Sequence, residues 1–456
     1  MNYDVIILGS GQAGTPLSTR LAAAGKRVLI VERAEFGGTC INVGCTPTKL
    51  MVASARAAHV ARTAERLGVR VPQVTVDLAA VVKRKDAIVR QWREGIESSL
   101  RSAGERLSVI QGHARLTSDR EIEVSGQRHR AETIIINVGA RPVVPALPGL
   151  DAVPFLDNQR LMQLEELPRH LLILGGGYIG CEFGQMFRRF GAEVTIVDHN
   201  EHLLSREDAD VSAALEGVFG AEGIRLVLSQ RAESVRLTQG EVVLRTSAGT
   251  ELRGSHLLVA VGRQPNTTDL GCQAAGVALD SRGFITVDEG YATSVPGIYA
   301  VGDVTGGPQF THTSWDDHRL LFARLHGQDA RARSGRTIPY AVFTDPQVAG
   351  VGLSEREAQR AGIPYEVAAM PFGEIARAVE LDETAGLLKL LIDPQSERIL
   401  GCRIVGSEAG ELIHIFVSLM EAGATARAIV DAEFVHPTLA EGVQQLVMRL
   451  KRYALS

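Results

Sequence analysis

Twice along this chain a short apolar run empties into glycines spaced G-x-G-x-x-G, then a helical stretch, then a second apolar run ending on an acid. The first copy runs from the strand Tyr3 to Leu8 through Gly9, Gly11 and Gly14. Its helix reaches Ala24-Gly25, and its second strand, Arg27 to Val31, ends at Glu32. The second copy runs from His170 to Leu174 through Gly175, Gly177, Tyr178, Ile179 and Gly180. Its helix ends at Phe190-Gly191, and the strand Glu193 to Val197 ends at Asp198. In such a turn the first glycine permits the tight bend, the second lets backbone approach a pyrophosphate, and the third allows close helix–strand packing. The helix N-terminus offers free N–H groups and a positive dipole end to phosphates. Two such βαβ units mean two dinucleotide-sized sites in an α/β chain.

The acid that closes each unit is placed to bind a ribose hydroxyl pair. At the second site Asp198 favours the free 2′-hydroxyl of NAD, because a 2′-phosphate would be repelled and would want an arginine. His199 and Asn200 follow, and the nearest downstream arginine is Arg206. NAD(H) is therefore expected in preference to NADP(H). The plainer reading of Asp198 is a turn residue at a strand end.

At roughly 150 residues per domain, 456 residues leave room for more than these two units. A helical stretch at about 51–105 and short strands at about 107–145 separate them. Strand-rich sequence at about 226–260 closes the second. After a polar stretch, Arg331 to Thr337, strands from Tyr340 alternate with two amphipathic helices to near Leu455, which reads as a separate α+β domain. The 48 Lys and Arg against 53 Asp and Glu, with no long basic run, exclude a dedicated nucleic-acid binder. No apolar run approaches the roughly 18 residues of a membrane span. The chain enters a strand at once, without a charged leader and apolar core, so a mature cytoplasmic protein is expected.

Five cysteines are an odd number for a structural framework, and two of them lie close together. Cys40 and Cys45 fall within Gly37-Gly38-Thr39-Cys40-Ile41-Asn42-Val43-Gly44-Cys45-Thr46-Pro47-Thr48-Lys49. The spacing is not that of a zinc knuckle and no second pair accompanies it, so no metal site is expected. On an ideal helix the two would point roughly 140° apart, too far for a bond between them. A distorted helix opening is therefore required, eased by Gly44. Two thiols beside a nucleotide site suggest a redox-active disulfide; two buried structural cysteines are the alternative.

The run GGTCINVGCTPTK resembles the active-site signature of the class I pyridine nucleotide–disulfide oxidoreductases, which include glutathione reductase, dihydrolipoamide dehydrogenase and mercuric reductase. The resemblance extends over essentially the whole chain, through both glycine turns, NVGARPVVPALPG, AVGRQPNT, AVGDV and HPTLAE. It implies two Rossmann-like domains and a C-terminal α+β dimerisation domain. The expected layout is 1–147 for the first part of the FAD domain and 148–265 for the NAD(P) domain. The second part of the FAD domain, or central domain, would be 266–335 and the interface domain 336–456.

The resemblance also implies roles. Cys40 would attack the substrate and Cys45 would contact the flavin. Lys49 would sit near flavin N5 and pair with Glu182; the alternative is a solvated helix lysine. Tyr178 looks like the aromatic gate that covers the flavin until nicotinamide enters, or else a packing aromatic. Asp303 would hold the ribityl chain, with Phe310, Thr311 and His312 following along the flavin. Thr39, Ala114, Gly139, Val235, Gly262 and Arg263 complete the expected cofactor contacts. His436 would be the base and Glu441 would fix its tautomer, both supplied by the other subunit of a homodimer.

The chain lacks the C-terminal cysteine pair of mercuric reductases, yet the run Phe310 to Arg319 resembles a mercuric-reductase-like branch. The expected activity is electron transfer from NAD(P)H through FAD and a Cys40–Cys45 disulfide to a small thiol–disulfide. Alternatives are reduction of Hg(II) or Cu(II), and service as a dihydrolipoamide dehydrogenase-type subunit of a multienzyme complex.

Overall fold

The structure is a computed structural model that describes residues 2–453. The expected end of the last block near Leu455 lies outside the described residues. Two compact units emerge, the first made of Met1–Leu50, Ala80–Val143 and Gly262–Arg336, the second of Met51–Ala79, Val144–Val261 and Thr337–Ser456.

The first unit is built on a sheet whose parallel part runs Leu107–Gln111, Val28–Glu32, Asn2–Leu8, Gln127–Ile136 and Ile298–Ala300. Alternate residues of each strand feed opposite cores, as the two-residue period of a strand demands. Val5, Ile7, Val28, Ile30 and Ile135 pack on one face with Leu17, Leu21 and Leu321. Ile6, Leu8, Leu29, Val31, Ile134 and Ile136 pack on the other with Leu116 and Ile122. Burial on both faces explains why these strands read as unbroken apolar runs. Each such side chain contributes roughly 1.5–3 kcal/mol relative to exposure. An antiparallel meander of Ala114–Ser118 and Glu121–Val124 extends from the start of Gln127–Ile136.

The second unit holds a four-stranded parallel sheet in the order Arg225–Val227, Glu193–Val197, His170–Leu174, His256–Val259. It also holds an antiparallel three-stranded sheet from Ala232 to Gly254. A third, antiparallel sheet runs Tyr340–Val342, Gln347–Gly352, Ile399–Gly406, Leu387–Ile392, Glu366–Pro371. Leu412, Ile413 and Phe416 of the helix Ala409–Glu421 pack into its core.

The helical stretch expected at about 51–105 is present as two helices: Cys45–Thr63, followed by a 3₁₀ turn that ends at Gly68, at φ +81°, and Leu78–Arg101. The count of helices near the C-terminus differs from expectation. Among its described residues the last block holds five α-helices rather than two: Ala409–Glu421 is long enough to display a 3.6-residue period, whereas Glu355–Ala361, Ala376–Glu380, Arg427–Val430 and Glu441–Val447 span two turns or fewer.

Candidate active site

The first glycine turn connects Asn2–Leu8 to the helix Gly14–Ala23. Gly9 sits at φ +102°, where a Cβ would lie 2.3 Å from the Asn137 carbonyl oxygen, and a Cβ at Gly14 would lie 2.0 Å from the Gly9 carbonyl oxygen. Neither position can carry a side chain. Gly11 is hemmed in by the Asn137 amide and by Gly38. Glu32 is buried at the end of its strand, and its Oε2 accepts from the Ser10 N–H at 2.9 Å and the Ser10 hydroxyl at 2.8 Å. Its Oε1 accepts from the Ala34 N–H at 2.9 Å. Of about four lone-pair positions on a carboxylate, one remains for a ribose hydroxyl.

In the same unit, Asp303 opens a 3₁₀ turn, Gly302–Thr305, after the strand Ile298–Ala300. Arg263 lies 3.3 Å from its carboxylate and the Ser314 hydroxyl donates to it at 3.5 Å; burial pushes the carboxyl above its usual range. Arg263 Nε and Thr313 Oγ1 are buried with no hydrogen-bond partner among the described residues. Orphaned polar atoms cost about 1–3 kcal/mol each. A buried acid paired with Arg263 and Ser314, two buried polar atoms without partners in the same unit, and a glycine turn whose acid has an open acceptor position fit FAD. Gly139 at φ +65° and Gly262 at φ +129° each face open space where a Cβ would meet nothing, and they flank the short pair Ala140–Pro142 and Arg263–Pro265. The side chain of Ala114 is in the core, so only its backbone is left for a cofactor.

The cysteines lie where the chain leaves one helix and starts another. Gly38–Asn42 is helical, Val43 and Gly44 break it, and Cys45 opens the helix Cys45–Thr63. A Cβ at Gly44 would lie 2.9 Å from the Thr39 carbonyl oxygen, so the break needs glycine. Asn42 braces it: its amide donates to the Phe36 carbonyl at 2.9 Å and the Gly38 carbonyl at 3.0 Å, and its oxygen accepts from Arg93 Nε at 2.8 Å. The two cysteines are not joined by a disulfide; Cys45 is exposed and Cys40 half-buried. The Cys45 sulfur stands 3.0 Å from the Thr311 hydroxyl, at the first residue of the helix Thr311–Leu325. The hydrogen bond with Cys45, burial and the Cys45 charge push the Cys40 thiol well above the usual range, while Thr311 and the Lys49 charge act the other way. Cys40 therefore keeps its proton until a base removes it.

The second unit carries the second turn. A Cβ at Gly175 would lie 2.4 Å from the Ala260 carbonyl oxygen, and one at Gly180 would lie 1.9 Å from the Gly175 carbonyl oxygen. Gly177 faces open space. Asp198 is buried; its Oδ2 accepts from the Gly176 N–H at 2.6 Å, and its Oδ1 accepts from the Asn200 N–H at 2.7 Å and amide at 2.8 Å. Tyr178 and Ile179 open the helix Tyr178–Phe190, and the Glu182 carboxylate on it accepts from the Phe343 N–H at 2.8 Å. Val235 is buried in a sheet core, where its carbonyl leaves no room for a side chain at Gly149.

His436 and Glu441 are together: Nδ1 lies 2.9 Å from Glu441 Oε2, with the imidazole 72% exposed and the carboxylate 10% exposed. Glu441 opens the helix Glu441–Val447. Among the expected residues, the structure thus joins Cys40, Cys45, Thr311 and Lys49; Asp303 and Arg263; Glu32 and its turn; Asp198 and its turn; and His436 and Glu441. Sequence reading passed over Ser10, Asn42 and Asp317. Ser10 stood inside a recognised turn and Asn42 inside the cysteine run. Asp317 accepts from the Gly302 N–H at 2.7 Å, the Tyr291 hydroxyl at 2.8 Å and Arg336 at 2.8 Å, which steadies the Asp303 turn.

The profile of the family described as pyridine nucleotide-disulphide oxidoreductase matches residues 3–317, and that of its dimerisation domain matches 338–447. The chain is 35% identical to the probable pyridine nucleotide-disulfide oxidoreductase RclA of Escherichia coli, over 98% of this chain and 99% of that protein. It is 35% identical to a dihydrolipoyl dehydrogenase of Thermus scotoductus, over 99% and 98%. The solved structure of the HOCl-induced flavoprotein disulfide reductase RclA from Escherichia coli matches with a TM-score of 0.91, covering 98% of this chain and 100% of that one at 35% identity. A Cu(II) complex of that reductase matches with a TM-score of 0.90 at 34% identity, over 98% and 99%. Glycine turns, an adjacent pair of thiols and a histidine–glutamate pair, matched along their whole length, make this chain a member of the pyridine nucleotide-disulphide oxidoreductases, FAD-dependent enzymes with a C-terminal dimerisation domain.

Proposed function

We propose that the protein is an NADH-dependent reductase of a small thiol–disulfide in the reducing cytoplasm. It works as a homodimer in which one subunit supplies Cys40 and Cys45 and the other supplies His436 and Glu441. The observation that carries this reading is the pair of adjacent thiols at a helix break, with the Thr311 hydroxyl 3.0 Å from the Cys45 sulfur. Residues 1–147 and 266–335 would hold FAD through the first turn and Asp303, with Arg263 reaching Asp303 from the end of 148–265; the rest of 148–265 would take the coenzyme, and 336–456 would join the subunits. Bound FAD supplies the two-electron path from nicotinamide to sulfur.

The residues then do the following. Glu441 accepts a hydrogen bond from the Nδ1–H of His436, which holds the proton there and leaves Nε2 as the base. His436 takes the Cys40 proton, and the Cys40 sulfur attacks one sulfur of the substrate. The substrate S–S bond breaks, a mixed disulfide forms, and the departing thiolate takes the proton back. The Cys45 sulfur attacks Cys40, which releases the second product thiol and closes the Cys40–Cys45 disulfide. The hydride of one NADH and one proton from solvent restore the dithiol, so one disulfide yields two thiols per NADH. The Thr311 hydroxyl steadies the charge on Cys45, and the Lys49 charge favours ionised sulfur. Buried Asp198 selects NADH, since a 2′-phosphate would face an acid with one open acceptor position.

A second reading, reduction of a thiophilic metal ion, is supported by the Cu(II) complex of the related reductase. Among the described residues no group of three or more His, Cys, Asp or Glu side chains could hold a metal ion. Such an ion would be a substrate met by the two sulfurs. Anaerobic NADH oxidation with lipoamide, small disulfides, Hg(II) and Cu(II) separates the readings. Turnover of a disulfide that falls about 10²–10⁴-fold in His436→Ala supports the disulfide reductase. Turnover with metal alone, indifferent to His436, replaces it. Equal or faster turnover with NADPH overturns the coenzyme assignment.

A further inference from the structure

Tyr178 opens the helix of the second glycine turn, and its ring lies stacked on Tyr340, with centroids 5.9 Å apart and planes 13° from parallel. This is an offset arrangement that aromatic pairs favour. Tyr340 is held from several sides. Its hydroxyl donates to Glu207 at 2.6 Å, and the Arg403 guanidinium lies 5.7 Å from its ring centroid. Gly350 leaves the space the ring needs, since a Cβ there would lie 2.4 Å from the Tyr340 hydroxyl.

Arg403 and Lys389 are direct cross-strand partners, and both are buried. Like charges in that position destabilise a sheet unless they are compensated. Two consecutive acids compensate them: Glu207 pairs with Arg403 at 3.2 Å and Asp208 with Lys389 at 3.2 Å. Glu207 and Asp208 end the loop that starts at Asp198. The loop that reads the ribose and the ring under Tyr178 are thus fastened to one sheet.

We propose that Tyr340 is a positioning residue for coenzyme access, the seat on which Tyr178 rests before nicotinamide arrives, with Glu207 tying that seat to the ribose-binding loop. This rests on the reading of Tyr178 as the gate. For nicotinamide to bind, the Tyr178 ring leaves its seat, so the strength of the stack is subtracted from coenzyme affinity.

The test uses flavin-loaded enzyme and measures KM for NADH, kcat, and the Kd of NAD⁺ by calorimetry. Tyr340→Leu is expected to lower KM and Kd by roughly two- to tenfold, the range of a stacked aromatic pair, and to change kcat less. Tyr178→Leu is expected to lower them similarly, and the double variant no further than either alone. Tyr340→Phe, which keeps the ring, brings KM back toward the wild-type value. If Tyr340→Leu yields no flavin-loaded protein, Tyr340→Met takes its place. A Tyr340→Leu shift that persists in full on the Tyr178→Leu background, or a raised KM, overturns the seat while the gate stands. Unchanged KM and Kd in Tyr178→Leu overturn the gate and the seat with it.

Discussion

The two glycine turns obey the same constraints at their ends and differ in the middle. Gly9 and Gly175 each bend against a carbonyl of a neighbouring strand's end, and Gly14 and Gly180 each close on the carbonyl of their own first glycine. Each acid keeps one acceptor position open. Gly11, however, is crowded by Asn137 and Gly38, whereas Gly177 faces open space and is followed by an aromatic, Tyr178, that opens its helix. Where Ser10 locks Glu32 with two hydrogen bonds, its counterpart Gly176 has only its N–H to offer Asp198. On the assignment proposed above, the first turn is built around a resident and the second around a visitor. Closure by protein slows release, and openness permits exchange at every turnover.

The largest expected effect separates the two turns outright. Gly14→Ala places a methyl group 2.0 Å from a carbonyl oxygen, and the purified protein should lack visible flavin absorbance. Gly180→Ala makes the matching clash, about 1–3 kcal/mol of overpacking, and should keep flavin while coenzyme turnover falls roughly 10–100-fold. The reverse pattern would exchange the two assignments. Gly177→Ala probes the open middle: its backbone, at φ −80°, accepts alanine, so thermal stability should hold. KM for NADH should rise roughly tenfold, about 1.4 kcal/mol, and an unchanged KM would mean that no phosphate approaches there.

Asp198→Asn keeps the shape and removes the charge. The NADPH to NADH ratio of kcat/KM should then rise by at least about tenfold, about 1.4 kcal/mol, because two like charges at contact repel by up to about 4 kcal/mol at an effective ε of about 20. A flat ratio would reduce Asp198 to a strand-end turn residue. The smallest effect belongs to Ser10→Ala, which removes the hydroxyl shared by Glu32 and the Gly37 N–H. A loss of about 1 kcal/mol, read from the urea midpoint of the flavin-loaded protein, would sharpen the view that the first turn is closed from within.

What was legible beforehand was local. Glycines forced by a carbonyl contact, acids at strand ends and two thiols five residues apart announce themselves within a dozen positions. The break at Val43-Gly44 was legible for the same reason, because a straight helix would have turned the two sulfurs apart. Asp317 and Tyr340 were not, since each gains its role from groups far along the chain: the Gly302 N–H for one, Tyr178 and Glu207 for the other. The short helices between 355 and 430 stayed hidden because one or two turns cannot show a helical period.

The open acceptor position on each acid has a consequence for which sugars these sites distinguish. One vacant lone pair accommodates one hydroxyl, and a charged hydrogen bond is worth about 1.5–3 kcal/mol. A 2′-deoxy analogue would forfeit that bond at either acid and leave a buried carboxylate one donor short. In the binding roles proposed above, Glu32 and Asp198 would act as checkpoints for ribose over deoxyribose, each indifferent to the base at the far side of the sugar.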